Sequence, residues 1–90
     1  MKANFTIDEM AINQFISGTE LWFEGEKHTV LYVKLEKLTR QVQYICVDPD
    51  DKNKTVSFWC PQDDEITWEV NNKLEVDTEN VKRYIKDIFS

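Results

Sequence analysis

No connection between successive β-rich runs in this chain is longer than seven residues, and that shortness constrains the fold more than any other feature. Parallel strands need a crossover of about a dozen residues or more, so runs this close in sequence pair as antiparallel neighbours. The runs are Leu21–Phe23, His28–Glu36, Gln41–Val47, Thr55–Cys60, Glu65–Val70 and a short Leu74–Val76. Turn chemistry separates them: Glu24-Gly25-Glu26, Leu38-Thr39-Arg40, a loop from Asp48 to Lys54, Pro61 to Asp64, and an Asn71-Asn72 pair suited to a type I′ hairpin.

Helix signals flank the strands. Thr6-Ile7-Asp8-Glu9 is a capping box, with Phe5 and Met10 spaced for a hydrophobic staple and Gly18 placed to end the helix. The pattern predicts a helix over Ile7–Ser17 with Ile7, Met10, Ala11, Phe15 and Ile16 on its apolar side. Near the other end, Val81, Tyr84, Ile85, Ile88 and Phe89 follow the i, i+3, i+4, i+7, i+8 spacing of a full apolar face. Asp77 or Thr78 caps that helix, and Glu79 lies in its first turn.

The expected fold class is therefore α+β, a single domain over residues 1–90. An N-terminal helix, a five- to six-stranded antiparallel meander and a C-terminal helix follow one another. So many short strands in so few residues curl, and the pattern resembles an SH3-like small barrel or, failing closure, a strongly bent sheet. Ninety residues suffice to bury roughly 60% of the unfolded chain's surface without metals or disulfides.

Val30–Leu35 and Tyr44–Val47 are apolar at both parities, where a strand with one wet face alternates. Both faces are thus expected to be covered, the outer one by the helices or by a partner. Along Val56–Cys60, Val56, Phe58 and Cys60 share one face and Trp59 points to the other. Trp59 and Tyr32 are the aromatics expected to be exposed.

Catalytic chemistry finds little support. His28 is the sole histidine and reads as structural. Cys46 and Cys60 sit in apolar runs and match no zinc spacing, so they read as buried, reduced thiols. An EF-hand loop starting at Asp48 needs Gly at its sixth position and Glu at its twelfth, and finds Asn53 and Trp59 instead. No enzyme activity, cofactor or metal is expected. The opening Met1-Lys2-Ala3-Asn4 leads straight into the helix signal without an apolar h-region. No signal peptide or membrane span is expected, and the expected compartment is the cytoplasm.

The net charge of −6 is concentrated: between Pro61 and Glu79 seven acids face one lysine, and the remaining residues balance. Asp63, Asp64, Glu65 and Glu69, with Tyr32 and Trp59, are the candidate partner-binding residues. An acidic, aromatic surface suits docking to a basic protein surface, and self-association is a further expectation. The leading functional reading is a small protein-binding or regulatory protein. Nine lysines against two arginines, with seven isoleucines, suggest AT-rich coding and so a low-GC bacterium, phage or mobile element. One alternative is an acidic inhibitor that imitates phosphates in a nucleic-acid-binding groove. A second, a barrel that binds nucleic acid itself, is disfavoured by the negative charge.

Overall fold

The capping box forms as its sequence requires. Glu9 N donates to Thr6 Oγ1 at 3.2 Å, and Thr6 N donates to Glu9 Oε1 at 2.8 Å. It starts helix α1, Ile7–Ile16, in a computed structural model that describes residues 4–61, 66–69 and 76–90. The strands are β1 (Glu20–Phe23), β2 (Glu26–Glu36), β3 (Gln41–Asp48), β4 (Asp51–Pro61) and β5 (Thr67–Trp68), and helix α2 spans Thr78–Phe89. The order of elements is that of an α+β domain with an antiparallel sheet.

β1 to β4 form the expected meander. The β1–β2 turn needs only Glu24 and Gly25, both at positive φ (51° and 80°), as a type I′ turn demands. The expected Asp48–Lys54 loop is not a loop. Pro49 and Asp50 alone make the β3–β4 turn, and Asp51–Lys54 belong to β4. A bulge absorbs the extra residues, since Val47 pairs with Thr55 but Asp48 pairs with Asp51. Local bonds from Asp50 N to Asp48 Oδ1 (2.8 Å) and Asn53 N to Asp51 Oδ1 (3.0 Å) stabilise this tight path.

β5 departs from the meander. It pairs with β1, Leu21 opposite Trp68, and the sheet order is β4-β3-β2-β1-β5. The chain therefore passes from one edge of the sheet to the other after Pro61, which a short connection can do only if the sheet curls. Two observations show the curl. β2 pairs with β1 through Glu26–Thr29 and with β3 through Val30–Glu36, with a bulge at Leu31 just inside the second ladder. Phe23 on β1 and Phe58 on β4 also stack with ring centroids 4.0 Å apart, although three strand spacings in a flat sheet would separate them by about 14 Å. The sheet stays open, with β4 and β5 as its two edges, so the closed barrel is not formed. The bent sheet is.

Ile12 and Ile16 of α1, Val81 and Ile85 of α2, and Leu21, Val30, Val33 and Val42 of the sheet meet in one core. Phe15 and Tyr84 stack between the helices at 5.3 Å, and Trp68 N donates to Thr78 Oγ1 at 2.8 Å to fasten β5 to α2. Asp77 caps α2, accepting from Asn80 N at 2.9 Å.

α1 is rotated from the expected face. Ile7 is 84% exposed and Met10 is exposed as well, while the fully buried apolar residues are Ile12 and Ile16. The reason is a polar stripe at i, i+4, i+8. Beyond Val30 no strand among the described residues lies on the β1 side of β2, and α1 runs along that edge instead. Glu9 Oε2 accepts from Leu35 N (2.7 Å), Asn13 Oδ1 accepts from Val33 N (2.8 Å), Asn13 Nδ2 donates to Val33 O (3.1 Å), and Ser17 Oγ donates to Leu31 O (2.6 Å). Helix side chains thus serve the amides and carbonyls that another strand would have served.

The expected Asn71-Asn72 turn and the residues before Val76 in the expected last strand lie outside the described residues. Val76 itself is fully buried.

Candidate functional site

The strand register decides which side chains share a face. Val33, Tyr44 and Phe58 are aligned across β2, β3 and β4 on the core side. On the opposite face Tyr32 aligns with Ile45 and Ser57, and Lys34 aligns with Gln43 and Trp59. Tyr32 and Trp59 therefore stand on one face, two strands apart, bridged by Ile45 and Gln43. β3 shows the asymmetry plainly: Val42, Tyr44 and Cys46 are buried, while Gln41, Gln43, Ile45 and Val47 are only half-buried. The core contacts of both helices are with the other face, so the expected helical cover of this outer face is absent among the described residues. Both-parity apolar runs here mean an inner core face and an outer, partly exposed apolar face.

Trp59 is 51% exposed, as its parity requires. Tyr32 is not exposed as expected; it is half-buried because the Phe5 ring meets it edge-on at 5.5 Å. Phe5 is held in turn by Lys34, whose Nζ lies 4.9 Å from the ring centroid and 3.3 Å from Glu9 Oε1. Beside them a groove of about 570 Å³ runs between α1 and β2, lined in part by Phe5, Met10, Leu31 and Tyr32. Met10 and Leu31 are both exposed. A stripe from Met10 through Leu31, Tyr32 and Ile45 to Trp59 thus forms a half-open apolar surface with a large aromatic at its edge-strand end.

The acidic candidates behave differently. Asp63, Asp64 and Glu65 lie outside the described residues. Glu69 is half-buried, accepts a hydrogen bond from Trp22 Nε1, and lies next to β1, its amide donating to Glu20 O at 3.0 Å. It directly follows β5, at the sheet edge opposite the one that carries Trp59, so the fold does not bring these two candidates together. Asp77 and Glu79 serve α2 as cap and first-turn acid.

Trp22 was not among the candidates. It is exposed on the outer face of β1, with Lys27 Nζ 5.8 Å from its ring centroid and 4.0 Å from Glu20 Oε2. The alternation of Leu21-Trp22-Phe23, with Leu21 buried, was the signal for it.

Cys46 and Cys60 are both buried, and neither is in a disulfide. Burial pushes the Cys46 thiol up to about 12, so the thiolate that alkylating agents need is scarce in the folded protein. Native-state alkylation by iodoacetamide is expected to follow global unfolding, with Cys46 modified only as denaturant brings on the unfolding transition. Rapid modification of Cys46 in native buffer, followed by peptide mapping, would show that β3 opens locally.

Among the described residues no helix is long and apolar enough to cross a membrane. No family model matches the chain, and neither a curated protein nor a solved structure matches it.

Proposed function

We propose that this domain is a small, non-enzymatic, cytoplasmic protein-binding module that docks a partner on the outer face of β2, β3 and β4. The observation that carries this reading is Trp59, a half-exposed indole on the face that also holds Tyr32 and Ile45. A tryptophan in that position costs solvent-exposed apolar area in the free protein and suits the centre of an interface, where Trp and Tyr are the common anchors. The net charge of −6 favours a partner with a basic surface and disfavours nucleic acid, whose phosphates require Lys and Arg. The phosphate-mimic alternative has less support. Of the acids in the charged segment, Glu69 is engaged by Trp22 and Asp77 caps α2.

Trp59→Ala tests the reading. Removing an exposed side chain that does not face the core is expected to change stability by no more than about 0.5 kcal/mol. Loss of an interface anchor is expected to weaken association by roughly 30-fold. The comparison is made with wild-type and W59A baits in lysate of a low-GC bacterium, followed by titration of the captured protein. Equal affinity of the two baits for that protein would place the interface elsewhere. A large fall in melting temperature would instead make Trp59 a core residue.

A further inference from the structure

At one end of the curled sheet the Glu24-Gly25 turn and the Pro49-Asp50 turn border a cleft of about 340 Å³, many times the ~30 Å³ that one water molecule occupies in the liquid. Its aromatic wall comes from Phe23 and Phe58, whose rings are stacked at 4.0 Å and within 3° of parallel. His28 completes that wall, its ring edge-on to Phe58 at 5.4 Å and to Phe23 at 6.4 Å.

His28 is only 7% exposed. Its Nδ1 lies 3.0 Å from the Glu26 carbonyl oxygen, which can only accept, so Nδ1 carries the proton. In the neutral imidazole Nε2 is then an acceptor, and no described residue donates to it. A buried acceptor lining a cleft, with no donor among the described residues, suits a donor from outside.

The turns supply negative charge on the open side. Glu24, Glu26, Asp48 and Asp50 all line the cleft. Among the described residues Glu24, Glu26 and Asp50 form no side-chain ion pair, and Asp48 Oδ1 accepts only the local bond from Asp50 N at 2.8 Å. No three His, Cys, Asp or Glu side chains among the described residues converge to hold a metal ion. The complementary ligand is therefore an organic cation with N–H donors.

We infer that this cleft receives a guanidinium group, packed beside the Phe23, Phe58 and His28 side chains, donating to His28 Nε2 and balanced by the carboxylates of the two turns. Guanidinium fits better than ammonium because it is weakly hydrated and carries several donors in a fixed fork, which can serve a nitrogen acceptor and carboxylates at once. The cleft is independent of the Trp59 face: Phe58 points inward and Trp59 outward on the same strand.

The test is a titration of the isotope-labelled protein with N-acetylarginine amide, followed by amide and aromatic-ring NMR shifts. Saturable shifts confined to Phe23–Glu26, His28, Asp48–Asp50 and the Phe58 ring are expected, with a Kd on the order of 1 mM for a ligand of this size. N-acetylcitrulline amide, neutral and nearly isosteric, is expected to leave them unmoved. The exposed double substitution Glu24→Gln, Asp50→Asn should weaken binding roughly tenfold, whereas Glu79→Gln, Asp87→Asn should not, and W59A should bind as the wild type does. Free arginine separates the sources. Equal binding points to the amino acid itself, and preference for the capped form points to an arginine within a partner chain. Equal shifts with the citrulline compound, equal loss in both double variants, or no saturable shift at these residues would overturn the inference.

Discussion

Glu9→Ala is expected to lower the unfolding free energy by about 4 kcal/mol, because it strips two backbone amides of their acceptors at once. The Glu9 side chain is short of solvent, the residue being 3% exposed, and its two oxygens accept from Leu35 N at 2.7 Å, Thr6 N at 2.8 Å and Lys34 Nζ at 3.3 Å. One side chain therefore caps α1, pins it to β2 and neutralises a lysine. An unsatisfied buried donor costs about 1–3 kcal/mol, and a domain of this size is stable by about 5–15 kcal/mol in all. Urea denaturation of E9A should show the loss directly. Glu9→Gln, which keeps one acceptor oxygen, should lie between E9A and wild type. If E9A melted like the wild type, the latch between α1 and β2 would contribute nothing to stability.

Acid should unlatch the same contact. Burial pushes the Glu9 carboxyl up, but the Leu35 and Thr6 amides and Lys34 outweigh it and hold the group below its usual range. A carboxyl with a lowered folded-state pKa binds fewer protons folded than unfolded. Its contribution is complete above the ordinary glutamate range and fades as pH falls through the lowered value. The stability gap between wild type and E9Q should accordingly narrow when the pH is taken from neutral to well below that range. A gap that stays constant across the series would remove Glu9 from the acid response.

The second large effect is expected on β4. Phe58→Ala should cost about 3 kcal/mol, through the lost stack with Phe23 and the ring contacts with Tyr44 at 5.5 Å and His28 at 5.4 Å. For a domain of this length that corresponds to a fall of roughly 15 °C in Tm. These contacts join strands that a flat sheet would hold far apart, so the variant tests what maintains the curl. A double-mutant cycle with Phe23→Ala should give a coupling of about 1 kcal/mol or more, as touching residues do. Trp59→Ala on the adjacent residue is the control, since it points the other way and should leave Tm almost unchanged. Similar losses for both would mean that the two faces of β4 do not differ as the register implies.

What was legible in the sequence was what depends on near neighbours. The capping box, the Asp77 cap, the apolar face of α2, the Glu24-Gly25 turn and the outward parity of Trp59 all follow from residues within a turn or a strand of one another. Local dihedral preference, capping geometry and the two periodicities suffice for these. The remaining features needed contacts between distant segments. Glu9 reaches an amide 26 residues away and Asn13 one 20 residues away, and those bonds, not apolar periodicity, set the rotation of α1. Tyr32 reads as an exposed aromatic until Phe5 is seen to fold over it. β5 reads as a neighbour of β4 until the curl brings the other edge within reach of a short connection. By itself, then, the sequence determined the kinds of elements, their caps and which side of β4 carries Trp59. Only the tertiary structure decided which edge each segment joins and which polar side chain replaces a missing strand, because backbone groups left open at an edge are satisfied by whatever the folded chain brings beside them.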